Sequence, residues 1–323
     1  MKGSGQVCRF LLLLLISVSG REHCTARVTP ESRAVSVLYE QFETISYAES
    51  DLVLSSGAYD GISKNDADVL RLPFYEMKEA LESLRSRTSE EILASSQAVL
   101  VGAKDFRPPL GLGPVRSRRC YILILRNGKF DLHDYFRQSS SGSIAGATIW
   151  NWSAKVGDFG EESPNKLSSF YVAQIASSYL LISNNLHDLQ SSAKGLMAPD
   201  PPKMKSTGIG DWGDVIQHRI WCYRRYRHSG VVDQEAAGMS AVSRAAEALV
   251  FFVDSQQKTG LLRLISSNTN DDPSVKMNAL SKLPPLKPQG SGVWETRIAL
   301  SGDESSFNRL AVVMNFFGFG VYV

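Results

Sequence analysis

The run His218-Arg219-Ile220-Trp221-Cys222-Tyr223-Arg224-Arg225-Tyr226-Arg227-His228 interleaves four arginines with Trp221, Tyr223 and Tyr226. Guanidinium groups grip carboxylates and phosphates through paired N–H donors and stack on aromatic rings, so this mixture suits an anionic ligand. Strand periodicity would put Arg219, Trp221, Tyr223, Arg225 and Arg227 on one face. A second basic group, Arg107, Arg116, Arg118 and Arg119, precedes another strand-like run. If Cys120 and Cys222 are bridged or adjacent, the two groups converge, and Arg116 and Arg118 join the candidate site. The competing arrangement is that these arginines pair with the chain's own carboxylates.

Other chemistry is present only as strings. Ser163-Pro164-Asn165-Lys166, Ser183-Asn184-Asn185 and Lys258-Thr259-Gly260 spell the three motifs of penicillin-binding serine enzymes. That mechanism needs its serine at the start of a buried helix, and Ser163 sits before proline in loop composition. Gly208-Ile209-Gly210-Asp211-Trp212-Gly213 matches G-x-G-x-x-G, but a Pro/Lys-rich stretch precedes it where a strand is required. Asp131 and His133 would share a strand face, too few ligands for a zinc site. No cofactor and no metal are therefore expected.

The elements that must position these residues follow from spacing. Thr29-Pro30 starts a helix whose stripe Val35, Leu38, Phe42 and Ile45 runs to about Ala48. Residues 50–65 read as loop, a second helix follows Pro73, and Thr88-Ser89-Glu90-Glu91 reads as a capping box. Strands are then expected at Ala98–Val101 and Tyr121–Leu125, the latter turning at Asn127-Gly128 into Phe130–Phe136 as a hairpin. Further strands are expected at Ala147–Trp152, Phe170–Ile175, Tyr179–Ser183, Ile220–Tyr226, Leu249–Val253, Leu261–Ile265 and Val293–Leu300. Helices are expected near Leu186–Met197, Ser240–Ala248 and Ser306–Phe317, the last ending at Gly318.

This pattern predicts an α+β fold, mainly antiparallel sheet with packed helices, in a two-part arrangement that a duplication would explain. The divisions are 1–26, a signal peptide; 27–96, a helical N-terminal segment; 97–197, an α+β part with the Asn-Gly hairpin; 198–217, a linker; and 218–323, a second α+β part.

Met1-Lys2 and Arg9, the run Phe10–Ile16 and a small-residue exit make a secretory signal, cleaved after Gly20 or Ala26. The apolar run is far short of the roughly 20 residues needed to span a bilayer, so no transmembrane segment is expected after cleavage. The export route allows a Cys120–Cys222 bridge, with two buried free thiols as the alternative. The chain carries 35 Lys+Arg against 33 Asp+Glu, a net +2. Removing residues 1–26 takes that charge away, and a neutral chain has no general attraction for nucleic acid. The expectation is an exported, periplasmic or extracellular, non-catalytic protein binding an anionic ligand, an envelope component or a protein partner. An exported hydrolase using Asp131, His133 and nearby carboxylates is the alternative.

Overall fold

The computed structural model describes residues 29–106, 116–126, 131–136, 140–144, 146–155, 167–200, 215–226, 246–266, 282–290 and 292–319. The described residues form twelve strands, most of them around runs of Val, Ile, Leu and aromatic residues: β1 (Thr44–Glu49), β2 (Ser96–Phe106), β3 (Arg116–Leu125), β4 (Ser140–Ile144), β5 (Ala147–Lys155), β6 (Leu167–Ile175), β7 (Tyr179–Ser183), β8 (Ile220–Arg225), β9 (Ala248–Asp254), β10 (Thr259–Ile265), β11 (Lys287–Gly290) and β12 (Val293–Ala299). The helices are α1 (Pro30–Gln41), α2 (Ser50–Leu54), α3 (Lys64–Arg71), α4 (Tyr75–Glu82), α5 (Thr88–Ala94), α6 (Leu186–Met197) and α7 (Glu304–Phe316).

All twelve strands join one antiparallel sheet in the order β11-β12-β10-β9-β8-β1-β2-β3-β7-β6-β5-β4. The fold is α+β. Read outward from the β1–β8 pair, the order β1-β2-β3-β7-β6 on one side matches β8-β9-β10-β12-β11 on the other.

Alternation sorts the strand residues into two apolar layers, because successive side chains point to opposite faces. On the first face Val99, Val101, Tyr121, Leu123, Cys222 and Phe251 meet Leu52, Leu70, Met77, Leu81 and Ile92 of α2–α5 and Leu310, Val313 and Met314 of α7. On the second, Leu100, Cys120, Ile122, Trp221 and Tyr223 meet Val35 and Leu38 of α1 and Leu189 and Ala193 of α6. Burying each large side chain contributes roughly 1.5–3 kcal/mol. Among the described residues no helix is long and apolar enough to cross a membrane.

Helix ends follow local chemistry. The Thr29 side chain accepts from the Ser32 N–H, with Pro30 in the first turn of α1. Asn185 and Asp303 cap α6 and α7 in the same way. Gly318 follows α7 at φ +83, in the left-handed region; an added Cβ there would meet Arg224 Nη1 at 3.0 Å.

Four local expectations change. The first apolar stripe does not continue as helix to Ala48: α1 ends at Gln41, and β1 takes the rest. Its alternating Ile45, Ser46 and Tyr47 are claimed by ladders to β2 and β8 on both sides, so pairing overrides helical spacing. The loop expected at 50–65 contains α2 and the start of α3. Thr88 does not cap α5. Arg87 precedes that helix at φ +78, and the Thr88 hydroxyl donates to Arg85 O at 3.0 Å.

The expected Asn-Gly hairpin is absent from the pairing of β3, whose neighbours are β2 and β7. Asn127-Gly128 lies outside the described residues. Leu132–Asp134 form a 3-10 turn that lets Leu132 and Phe136, four apart, both reach the first-face core.

Candidate functional site

The expected basic-aromatic strip is β8, and its place in the middle of the sheet decides what it can do. Trp221 and Tyr223 are 0% and 1% exposed, packed among the second-face residues. Trp221 stacks on Tyr47 at 5.6 Å and 5°, and Tyr223 lies 5.6 Å from the Tyr39 ring. These two rings are core. No open aromatic platform exists here, because β1 and β9 flank the strand and α1 packs on the same layer as these rings.

The arginines divide between the two ends of the strands. Arg219 lies where β1 ends, with Nε 2.6 Å from Glu49, Nη1 2.7 Å from Asp60 and Nη2 2.8 Å from the Tyr59 hydroxyl. It belongs to an exposed ion-pair cluster with the chain's own carboxylates. Arg224 points to the first face and donates to Phe316 O at 3.1 Å, closing the C-terminus of α7.

The opposite end is different. Register pairs Lys104 of β2 with Arg118 of β3. Ala103 pairs with Thr44 and Thr44 with Arg224, so one step further Lys104, Glu43 and Arg225 stand side by side. The Glu43 N–H donates to Ala103 O and the Arg225 N–H to Glu43 O, at 3.3 and 2.8 Å. Arg118, Lys104, Glu43 and Arg225 thus form one cross-strand row on the second face. At about 4.8 Å per strand, it spans roughly 14 Å.

Each member of this row is partly open. Arg118 is held by Asp188, with Nε to Oδ2 at 2.7 Å, and donates to Asn185 Oδ1 at 3.2 Å at the start of α6. Lys104 has neither hydrogen bond nor ion pair among the described residues. Arg225 donates through Nη2 to Tyr39 O at 3.2 Å and lies 4.8 Å over the Tyr39 ring. Its Nε is buried without an acceptor. A lysine without a carboxylate partner among the described residues and an unmatched buried N–H both favour an incoming anion.

No family model matches the chain and no curated protein does. Three solved structures of TP0453 are similar to it. Crystal form I shares 10% identity at a TM-score of 0.41, over 91% of this chain and 100% of that one. Crystal form III shares 9% at 0.41, over 85% and 96%. Crystal form IV shares 9% at 0.42, over 83% and 93%.

Of the residues singled out in the sequence, register brings Arg118 and Arg225 to the same rim and face. Arg116 begins β3 two residues before Arg118. Arg107 and Arg227 lie outside the described residues, as do Ser163, Lys166, the run from Gly208 and the whole of 1–26. Lys104 was not legible as a site residue, since only strand register reveals its neighbours.

The cysteines are a correction. Cys120 and Cys222 are both free and buried. Cys120 faces the second layer and Cys222 the first. They sit on β3 and β8 with β1 and β2 between, about 14 Å apart by strand spacing, where a disulfide needs Cα atoms within about 7 Å. Burial pushes each thiol up to about 12 from 9.0.

Asp131 is exposed, just before the 3-10 turn that contains His133. The shared strand face expected for Asp131 and His133 is therefore not formed.

Proposed function

We propose that the protein is an exported, non-catalytic binding protein that takes an anionic ligand or the acidic segment of a partner at the rim formed by Arg118, Lys104 and Arg225. The cross-strand row carries this reading. It gathers three cations from three strands on one face around Glu43, with a lysine that has no partner among the described residues and a buried arginine N–H lacking an acceptor. A carboxylate or phosphate supplies the missing acceptor and a counter-charge for Lys104. Arg116 and Arg227 belong to the same reading through their sequence positions.

Export rests on the basic, apolar and small-residue order of residues 1–26. A duplicated origin for the two halves is supported by the matched strand orders around the β1–β8 pair. The closing helices α6 and α7 pack on opposite faces, so a common unit would have changed after doubling.

The test is calorimetric titration of the full chain with pyrophosphate and with an acidic peptide, at low and high salt. Lys104→Glu combined with Arg225→Gln is expected to weaken binding about tenfold or more and to flatten the salt dependence. Unchanged affinity in that variant removes the rim as the site.

A further inference from the structure

A second recess lies in the helical layer on the first face, away from the rim. The 3-10 segment Leu72–Phe74 joins α3 to α4, and residues of both helices line a cleft of about 580 Å³ beside the 53–56 stretch. That volume falls in the range of small-molecule sites. Arg71 fixes its wall: Nε donates to Leu52 O at 2.8 Å, Nη2 to Gly57 O at 2.6 Å, and Nη1 pairs with Asp68 at 2.6 Å.

Two features of the lining point to a ligand. Tyr75 is 41% exposed, one of two large apolar side chains so exposed among the described residues, and it stands on the cleft wall beside Leu72. The cleft's acidic groups are engaged, Asp68 by Arg71, Glu82 by the Ser89 hydroxyl and Glu79 by the Tyr75 hydroxyl. Lys64 and Lys78 also line it, and neither has a hydrogen bond or ion pair among the described residues. We infer that this cleft binds a small organic carboxylate, its apolar body against Tyr75 and Leu72 and its charge between Lys64 and Lys78.

The site is independent of the rim and is tested separately. The full chain is titrated with 2-naphthoate and with its neutral isostere 2-naphthamide, following ligand fluorescence. Naphthoate is expected to bind about tenfold tighter, the difference that two charge-assisted contacts provide. Lys64→Gln with Lys78→Gln is expected to abolish that preference and leave naphthamide binding unchanged. Ser56→Trp, a filling change at an exposed position lining the cleft, is expected to remove both. Lys104→Glu, at the rim, is expected to remove neither. Equal binding of the two probes, no binding of either, or naphthoate binding that survives Ser56→Trp overturns the inference.

Discussion

Ser306 places its hydroxyl 3.0 Å from the Asp66 carboxylate and so ties the first turn of α7 to the first turn of α3, 240 residues away in the chain. The same carboxylate accepts from the Gly302 N–H at 2.9 Å and from the Ser63 hydroxyl at 3.1 Å. Asp66 is wholly buried, and its acceptors are matched by three donors without a cation. Asp66→Ala strands these donors and is expected to cost about 3 kcal/mol. Ser306→Ala is expected to cost about 1 kcal/mol. Urea unfolding of the two single variants and the double variant measures their coupling; additive losses would mean that the contact carries no energy.

Arg33 performs the corresponding task for α6. It reaches from α1 to the carbonyls of Leu196 at 3.2 Å and Pro199 at 3.4 Å, and to that of Ala198 between them. A cation at a helix C-terminus meets the negative end of the dipole and orphan carbonyls together. Arg33→Met should lower stability by about 1–2 kcal/mol, and Arg33→Lys by less. Thermal melts of the two variants decide it, and equal losses would argue against the carbonyl fork.

Gly102 allows α1 to hand the chain into β1. A Cβ at that position would lie 2.5 Å from the Phe42 ring. Gly102→Ala is expected to destabilise by about 1–3 kcal/mol through overpacking, and Phe42→Leu in the same chain should recover part of the loss. A Gly102→Ala chain as stable as the parent would show that the ring moves aside freely.

The buried thiols make stability fall in alkali. Their folded values are raised from 9.0 to about 12, so the folded state holds these protons more tightly than the unfolded one. The stability they confer is present in full below about pH 9 and is lost as pH rises toward 12. Between about pH 9 and 10, below the ordinary tyrosine range, urea midpoints should drop. The drop should be smaller in Cys120→Ala with Cys222→Ala. At neutral pH a thiol reagent should modify neither cysteine until the chain unfolds, and rapid labelling of the native protein would contradict their burial.

Much of the sheet was legible because its strands are short apolar runs with their own boundaries. β7, β9 and β10 stand where Tyr179–Ser183, Leu249–Val253 and Leu261–Ile265 announce them. β1 was hidden, since Phe42 and Ile45 fit a helical spacing and only pairing with β2 and β8 turns them into strand. The site divides along the same line. Composition marks Arg118 and Arg225, but Trp221 and Tyr223 looked like surface because nothing local says that β8 has neighbours on both edges. The cleft lysines were missed with α3, though Ser63 followed by Asp66 is a capping signal, and Ser63 does cap that helix.

The central position of β1 also governs how the chain can assemble. Residues 44–49 are synthesised well before β8, yet one of their hydrogen-bonding edges waits for that strand, and the Glu49–Arg219 contact closes across 170 residues. β1 can pair with β2 early, but its other edge stays bare until β8 has been made. Completing the sheet is then a long-range event, the kind of non-local pairing that slows folding in general, and until then β1 presents a bare edge. For a chain exported as proposed above, that delay is useful, because what crosses a narrow pore must remain unfinished until it is through.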